Sequence, residues 1–365
     1  MNIFAEITGI QYQVLCAHTL KDISFEKFDI NNMPAYCLIS DKQYSYNISK
    51  WVSPKRSRSY PYERVYNTLG VPKRITVIPI IKDEGSKGDR DFIQWDTISL
   101  MSLLDVYVIF AYYQKADIHP KLKYKVTNQE FDNDYIKEKI IEISNYHSSA
   151  LHWNLKEIDD TLPFLIDKVK NAYSEIGAKL DVKFHNNNGI EIFKKQFIDG
   201  VSEFKLMSRQ KAKNAQNREQ KTLQPKEILS TATKATITIK NYLGGLYYFT
   251  TDEIIIKDNH LFLIEDKHTK KENLPKIGDI KDGLLKMILY CNLKNVMVND
   301  VVYIPEPVLK LTSVKIKNKI SSQDSLEKIN QFLMANQFTD KEELLIKNLF
   351  RECNINHFTI LIEEV

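Results

Sequence analysis

The sequence predicts a mixed α/β fold, and three observations predict it. Short β-branched and aromatic runs of strand length recur along the chain, and stretches with apolar residues at helical spacing lie between them. At 365 residues, 43% hydrophobic and 27% charged, the chain can bury a substantial core and has ordinary globular composition.

Taken in order, residues 1 to about 125 alternate strands and turns. The strand-like runs are Tyr36–Ile39, Ile75–Ile81 and Asp105–Phe110, and Thr97–Leu104 carries Ile98, Met101 and Leu104 at helical spacing. From 126 to 184 the spacing is helical: Ile136, Ile140, Ile141 and Ile143 form one stripe, and Leu162, Leu165, Ile166 and Val169 another. Residues 185–365 mix helix, hairpin, helix and strand. No internal repeat and no Gly/Ser- or Pro-rich linker marks a boundary. Three regions are therefore expected: an N-terminal α/β region (1–125), a helical connection (126–184) and a C-terminal core (185–365).

Composition excludes several classes. No apolar run is long enough to cross a bilayer, and the N-terminal residues lack the basic flank and apolar centre of a secretory signal, so a cytoplasmic protein is expected. Cys16, Cys37, Cys291 and Cys353 form no closely spaced pair, which fits a reducing compartment and excludes a zinc knuckle. The net charge of +4 is near balance, so affinity for a polyanion must come from clustering. No phosphate-binding GxxxxGK[ST] loop, G-x-S-x-G elbow or H-E-x-x-H motif occurs.

The most informative segment runs from Thr251-Asp252 to Glu265-Asp266-Lys267. Two β-branched or aromatic runs flank Asp258-Asn259, residues that tolerate the positive φ of a tight turn. With those two as the loop, Lys257 pairs with His260 and Asp252 falls opposite Glu265. Directly opposed residues share a face, with Cβ atoms about 4.5–5.5 Å apart. Lys267 joins that face by the period of two, while Glu253 and Asp266 point to the other. Two facing carboxylates repel unless a divalent cation sits between them, and hard oxygens in this number suit Mg²⁺, with Mn²⁺ as a substitute. A nearby ammonium can orient or help deprotonate an attacking water and stabilise charge on a phosphate. The competing reading is an ordinary hairpin whose charges pair in solvent.

The same residues resemble the PD-(D/E)xK nuclease superfamily, which includes most type II restriction endonucleases and archaeal Holliday-junction resolvases. Asp252 matches the first acid, Glu265 the second and Lys267 the lysine; Thr251 stands where the family often has Pro. The match covers about 45 residues. It implies a restriction-endonuclease-like core, a mixed β-sheet flanked by helices, with the N-terminal α/β region added to hold or clamp DNA. Leu261–Ile264 reads as a strand buried on both sides, and Asp279 is the expected N-cap of a helix through Ile280, Leu284, Leu285, Met287, Ile288 and Cys291. Strand runs at Val296–Val298 and Val301–Ile304 complete a strand–helix–strand crossover like that of the family.

Further residues are candidates by position or charge. Glu227, on a helix-like stretch from Pro225, and Glu203 could supply an additional acid. Lys55, Arg56, Arg58 and Arg64 form one basic cluster and Arg209, Lys211, Lys213 and Arg218 another; both are candidates for DNA contact. The acidic stretch Asp83–Asp96 lacks the order of a calcium loop and is expected to be a charged surface turn or a DNA-contacting loop. The expected function is a Mg²⁺-dependent type II restriction endonuclease acting on double-stranded DNA as a homodimer, with a cognate DNA methyltransferase as functional partner. A structure-selective repair or junction nuclease and a non-catalytic DNA-binding protein of the same fold are the alternatives.

Overall fold

A computed structural model describes residues 2–41, 45–55, 60–70, 73–198, 233–241 and 246–364. The chain divides into two units: one formed by Met1–His18 with Lys211–Val365, the other by Thr19–Gln210. The mixed α/β class is as expected, but the division is not. Strand β1 (Asn2–Ile7), from the very start of the chain, is a member of the C-terminal unit's sheet. The helical stretch 126–184 is no separate connection either. Its Ile136, Ile140, Ile143 and Trp153 share one core with Ile39, Ile48, Ile75 and Val77. Local periodicity reports which element forms, not which distant strand it pairs with.

In the unit of residues 19–210 the main sheet has the order β2 (Asp22–Ser24), β3 (Tyr36–Ser40), β4 (Ser45–Lys50), β5 (Arg74–Pro79) and β8 (Val106–Ala111). Helix α1 (Pro61–Tyr66) lies between β4 and β5 in sequence. The run Ile75–Ile81 splits at Ile80, whose N–H bonds the Ala111 carbonyl, so β6 (Ile81–Asp83) leaves to form a small hairpin with β7 (Arg90–Phe92). Helix α2 (Trp95–Leu103) follows, and β9 (Tyr113–Ile118) pairs with β10 (Val126–Phe131).

Every residue of edge strand β8 is buried, which leaves its outer backbone groups in need of partners. After α3 (Asn133–Ser144), helix α4 (Ala150–Asp160) provides them. Asn154 accepts the Val108 N–H at 2.8 Å and donates to the Val106 carbonyl at 3.0 Å, and the Trp153 indole donates to the Val108 carbonyl at 2.9 Å. Helices α5 (Leu162–Leu180) and α6 (Asn188–Ile198) complete this unit. The α5 stripe Leu162, Leu165, Ile166 and Val169 is buried as expected, whereas Ile141 of α3 is 50% exposed because it lies just off the buried face.

The other unit is built on one sheet. After β1 it uses β11 (Thr233–Asn241), β12 (Leu246–Lys257), β13 (His260–Thr269), β14 (Lys294–Val298), β15 (Val301–Ser313), β16 (Lys319–Ser321) and β17 (Thr359–Glu364). The order is β13-β12-β11-β1-β14-β15-β17-β16, and β13 also pairs in parallel with β15. Pairing therefore runs in a closed circuit through β13, β12, β11, β1, β14 and β15, which removes the free edges these long strands would otherwise present. Helix α7 (Ile277–Tyr290) is the crossover from β13, and α8 (Leu326–Asn336) and α9 (Asp340–Asn356) precede β17. Asp279 is not the N-cap: α7 begins two residues earlier, and Asp279 instead lies in its first turn, where a negative charge suits the helix dipole. Among the described residues no helix is long and apolar enough to cross a membrane.

The segment after β1 is pinned by one buried carboxylate. Glu352 of α9 accepts the Tyr12 hydroxyl at 2.7 Å and the N–H groups of Leu15 and Cys16 at 2.9 and 2.7 Å. Replacing Glu352 by Ala orphans these donors and is expected to cost about 3–5 kcal/mol, read as a lower urea midpoint at unchanged slope. A loss below about 1 kcal/mol would show that this carboxylate does not hold the segment.

Candidate active site

The hairpin forms in the register the sequence predicts: Lys257 pairs with His260, and the ladder runs outward to Glu253 opposite Ile264. Asp258 occupies the left-handed region at φ 53°, the conformation a two-residue loop asks of Asp or Gly. Leu261, Leu263 and Ile264 are buried, while Phe262 is only partly so.

The other edge of β12 adds something the sequence does not reveal. Ala235 pairs with Thr251, but Thr233 pairs with Ile254, so β12 carries one extra residue across Asp252-Glu253. That is a β-bulge, a device that bends a strand and re-aims a side chain. The regular β12–β13 ladder stops at Glu253, and side chains take over. The buried Thr251 hydroxyl donates to the Ile264 carbonyl at 2.7 Å, and Asp252 Oδ2 accepts the Asp266 N–H at 3.0 Å.

Glu265, 1% exposed, is held between two ammonium groups. Lys267 Nζ lies 2.7 Å from its Oε1, and Lys286 Nζ, from α7, 2.6 Å from its Oε2. Both lysine side chains are 20% exposed, so the carboxylate is sealed while its partners reach solvent. Burial and then the Glu265 charge push the Asp252 carboxyl above its ordinary value, and Lys286, the Asp266 N–H and Lys267 offset only part of this. Burial also works against the Glu265 charge, but Lys286 and Lys267 outweigh it and hold that carboxyl low. Lys267 is held above the ordinary lysine range: burial opposes its charge, and Glu265, Asp252 and Asp282 more than compensate. The two acids are pulled apart in proton affinity, as in sites where paired carboxylates carry different roles.

Lys286 is the member that motif reading does not find. Gly283, three residues earlier on the same face of α7, is the trace it leaves in the sequence. A Cβ at Gly283 would stand 2.7 Å from Leu309 Cδ1 and 3.2 Å from Lys267 Cε, so glycine is what lets the helix approach the sheet here. Glu253 and Asp266 face the other way, toward Lys310 of β15.

Of the remaining candidates, Lys55 and Arg64 belong to the unit of residues 19–210. Lys55 is exposed in a bend near Ser53, and Arg64 is half-buried in α1 with its guanidinium donating to the Lys50 carbonyl, so fold contacts already occupy it. Glu203, Glu227, Arg56, Arg58, Arg209, Lys211, Lys213 and Arg218 lie outside the described residues. The acidic stretch does not begin as a surface turn: Asp83 is 2% exposed and accepts the Gly85 N–H, with His185 Nδ1 also 2.9 Å from the same oxygen. Its carboxylate is committed to folding the β6–β7 hairpin. Among the described residues no group of three or more His, Cys, Asp and Glu side chains is arranged to enclose a metal ion. Against protein-family models, curated proteins and solved structures, the chain matches none.

Two outcomes follow from this geometry. Asp252→Asn is expected to stabilise the metal-free protein at neutral pH by about 1 kcal/mol. The raised acid costs stability while ionised, so the gain should shrink as pH falls through its folded value and the wild type takes up the proton. Denaturant unfolding at neutral and acidic pH reads both, and a variant no more stable at neutral pH sinks the assignment of strain to this pair. Gly283→Ala is expected to cost about 1–3 kcal/mol by overpacking, measured the same way; a neutral effect would mean α7 tolerates retreat from β15.

Proposed function

We propose that the chain is a Mg²⁺-dependent endonuclease that hydrolyses phosphodiester bonds of double-stranded DNA at a short specific sequence, a type II restriction enzyme of the PD-(D/E)xK kind. One observation carries the reading: a bulge sets Asp252 beside Glu265 and Lys267, where burial and the Glu265 charge disfavour its ionisation and a cation would relieve the repulsion. The path from β13 through α7 and the short strand β14 to β15, which lies parallel to β13, supports it, since the family's core also continues past its hairpin through a helix to further strands.

The residues present fit Mg²⁺. Asp252 Oδ1 accepts no hydrogen bond among the described residues, and each Glu265 oxygen accepts a single ammonium and keeps further lone-pair capacity. Two carboxylates are the usual protein share of a Mg²⁺ shell, with water and substrate phosphate completing it. When bound there, the ion supplies positive charge for the phosphate and lowers the pKa of its water.

The chain's own groups account for the rest. Lys267, held firmly protonated by Glu265, acts as a donor that orients water or stabilises phosphate charge, rather than as a proton acceptor. Lys286 adds a second ammonium on the same carboxylate, which keeps Glu265 ionised and in place when phosphate enters. The buried Leu261, Leu263 and Ile264 back the hairpin and limit water behind the acids. A homodimer would bring two such sites to the two strands of a twofold site, and a methyltransferase acting on the same sequence would spare host DNA.

Plasmid DNA incubated with purified protein and Mg²⁺ or Mn²⁺ tests the reading. Discrete fragments are expected, and Glu265→Gln should abolish them. Lys286→Ala should lower the rate about 10²-fold or more. Cutting confined to branched or damaged DNA would move the function to a structure-selective nuclease. DNA retardation with no cleavage in either metal would sink the enzymatic reading.

A further inference from the structure

The face of the hairpin turned away from Glu265 has a charged cluster of its own. Lys310 lies opposite Asp266 in the parallel β13–β15 ladder. Its ammonium stands 3.4 Å from Glu253 Oε2 and 3.3 Å from Glu363 Oε1. Asp266 Oδ1 accepts the buried Thr312 hydroxyl at 3.1 Å, and that hydroxyl also lies 3.1 Å from His268 Nδ1. The two hairpin residues tied down here directly follow the two acids of the site: Glu253 follows Asp252, and Asp266 follows Glu265.

One residue, Asp266, makes a bond on each face. The Asp266 N–H is the group that holds Asp252 Oδ2, while the Asp266 side chain is anchored to β15 on the far side. Asp252 sits in the bulge, beyond the last regular pair of the ladder, so side-chain bonds rather than strand pairing decide its orientation. Fixing Glu253 and Asp266 from behind therefore fixes where the Asp252 carboxylate points. Groups that orient a ligand without touching the ion commonly govern its affinity.

We propose that Lys310, acting through Glu253 and Asp266, is a positioning residue that sets Asp252 for cation binding. This rests on the reading of Asp252 and Glu265 as a metal-binding pair. The sign of the effect separates positioning from simple electrostatics. Removing a nearby positive charge would by itself tighten a cation's hold, whereas displacing Asp252 would weaken it.

Mn²⁺ titrated calorimetrically into the full-length, metal-free protein provides the test, with thermal melting recorded for each variant. Wild type should bind Mn²⁺, and Asp252→Asn should abolish that binding. Lys310→Met should weaken it about tenfold, lower kcat and leave KM for DNA unchanged, and Lys310→Arg should recover most of the affinity. Equal or tighter binding by a folded Lys310→Met protein overturns the positioning role and leaves the metal pair standing. A wild type with no Mn²⁺ binding sensitive to Asp252→Asn overturns the metal pair itself. If Lys310→Met does not fold, Thr312→Val replaces it, since it frees Asp266 Oδ1 while keeping every Lys310 ion pair. Weakened Mn²⁺ binding is again expected, and unchanged binding is the contrary result.

Discussion

A buried carboxylate clamped between two ammonium groups is the interaction on which the Glu265 face of the hairpin depends. Taking a carboxylate out of water costs several kcal/mol, and an unpaired one would be ejected or protonated. Glu265 stays ionised because Lys267 reaches it from its own strand and Lys286 reaches it from α7. The clamp thereby ties helix to sheet through charge, beside the buried apolar residues Ile280, Leu284 and Met287 of the same helix. An apolar trio of similar volume would stabilise a fold at least as well. The charged trio at the end of the hairpin is therefore not explained by stability alone.

Asp252 stands against that clamp as its unstable counterpart. The bulge delivers it beside a carboxylate already neutralised by two lysines, and burial raises its proton affinity. One acid is held low and the other high within a single face. The same sheet turns the intervening residues, Glu253 and Asp266, to the opposite side, where Lys310 gathers them. A one-residue slip in the hairpin would exchange the two clusters, so the register set by Asp258-Asn259 controls the chemistry of both.

Much of the local structure was legible. The turn at Asp258-Asn259, the helices at 95–103, 162–180 and 277–290 and the strands at 36–40 and 106–111 follow from periodicity and turn chemistry. Misreadings arose where tertiary contacts overrode local pattern. The run Ile75–Ile81 looks continuous, yet Ile80 turns its N–H to β8 and breaks it. Asp83 sits in a stretch of glycines and charges that reads as solvent-exposed, yet its carboxylate is enclosed by the hairpin it folds. Lys286 reads as any lysine on an amphipathic helix, because helical spacing does not say whether a polar position meets water or a buried acid.

Local preference alone accounts for the elements and for the hairpin register from Lys257–His260 out to Glu253–Ile264. Those depend on dihedral preference and on a period of two, which are local properties. Only the tertiary structure decided the bulge under Asp252, the second ammonium from α7, the cluster behind the hairpin and the membership of β1 in the C-terminal sheet. Each of these joins residues far apart in the chain. Their pairing is selected by the closure of the whole sheet, to which no single segment holds the key.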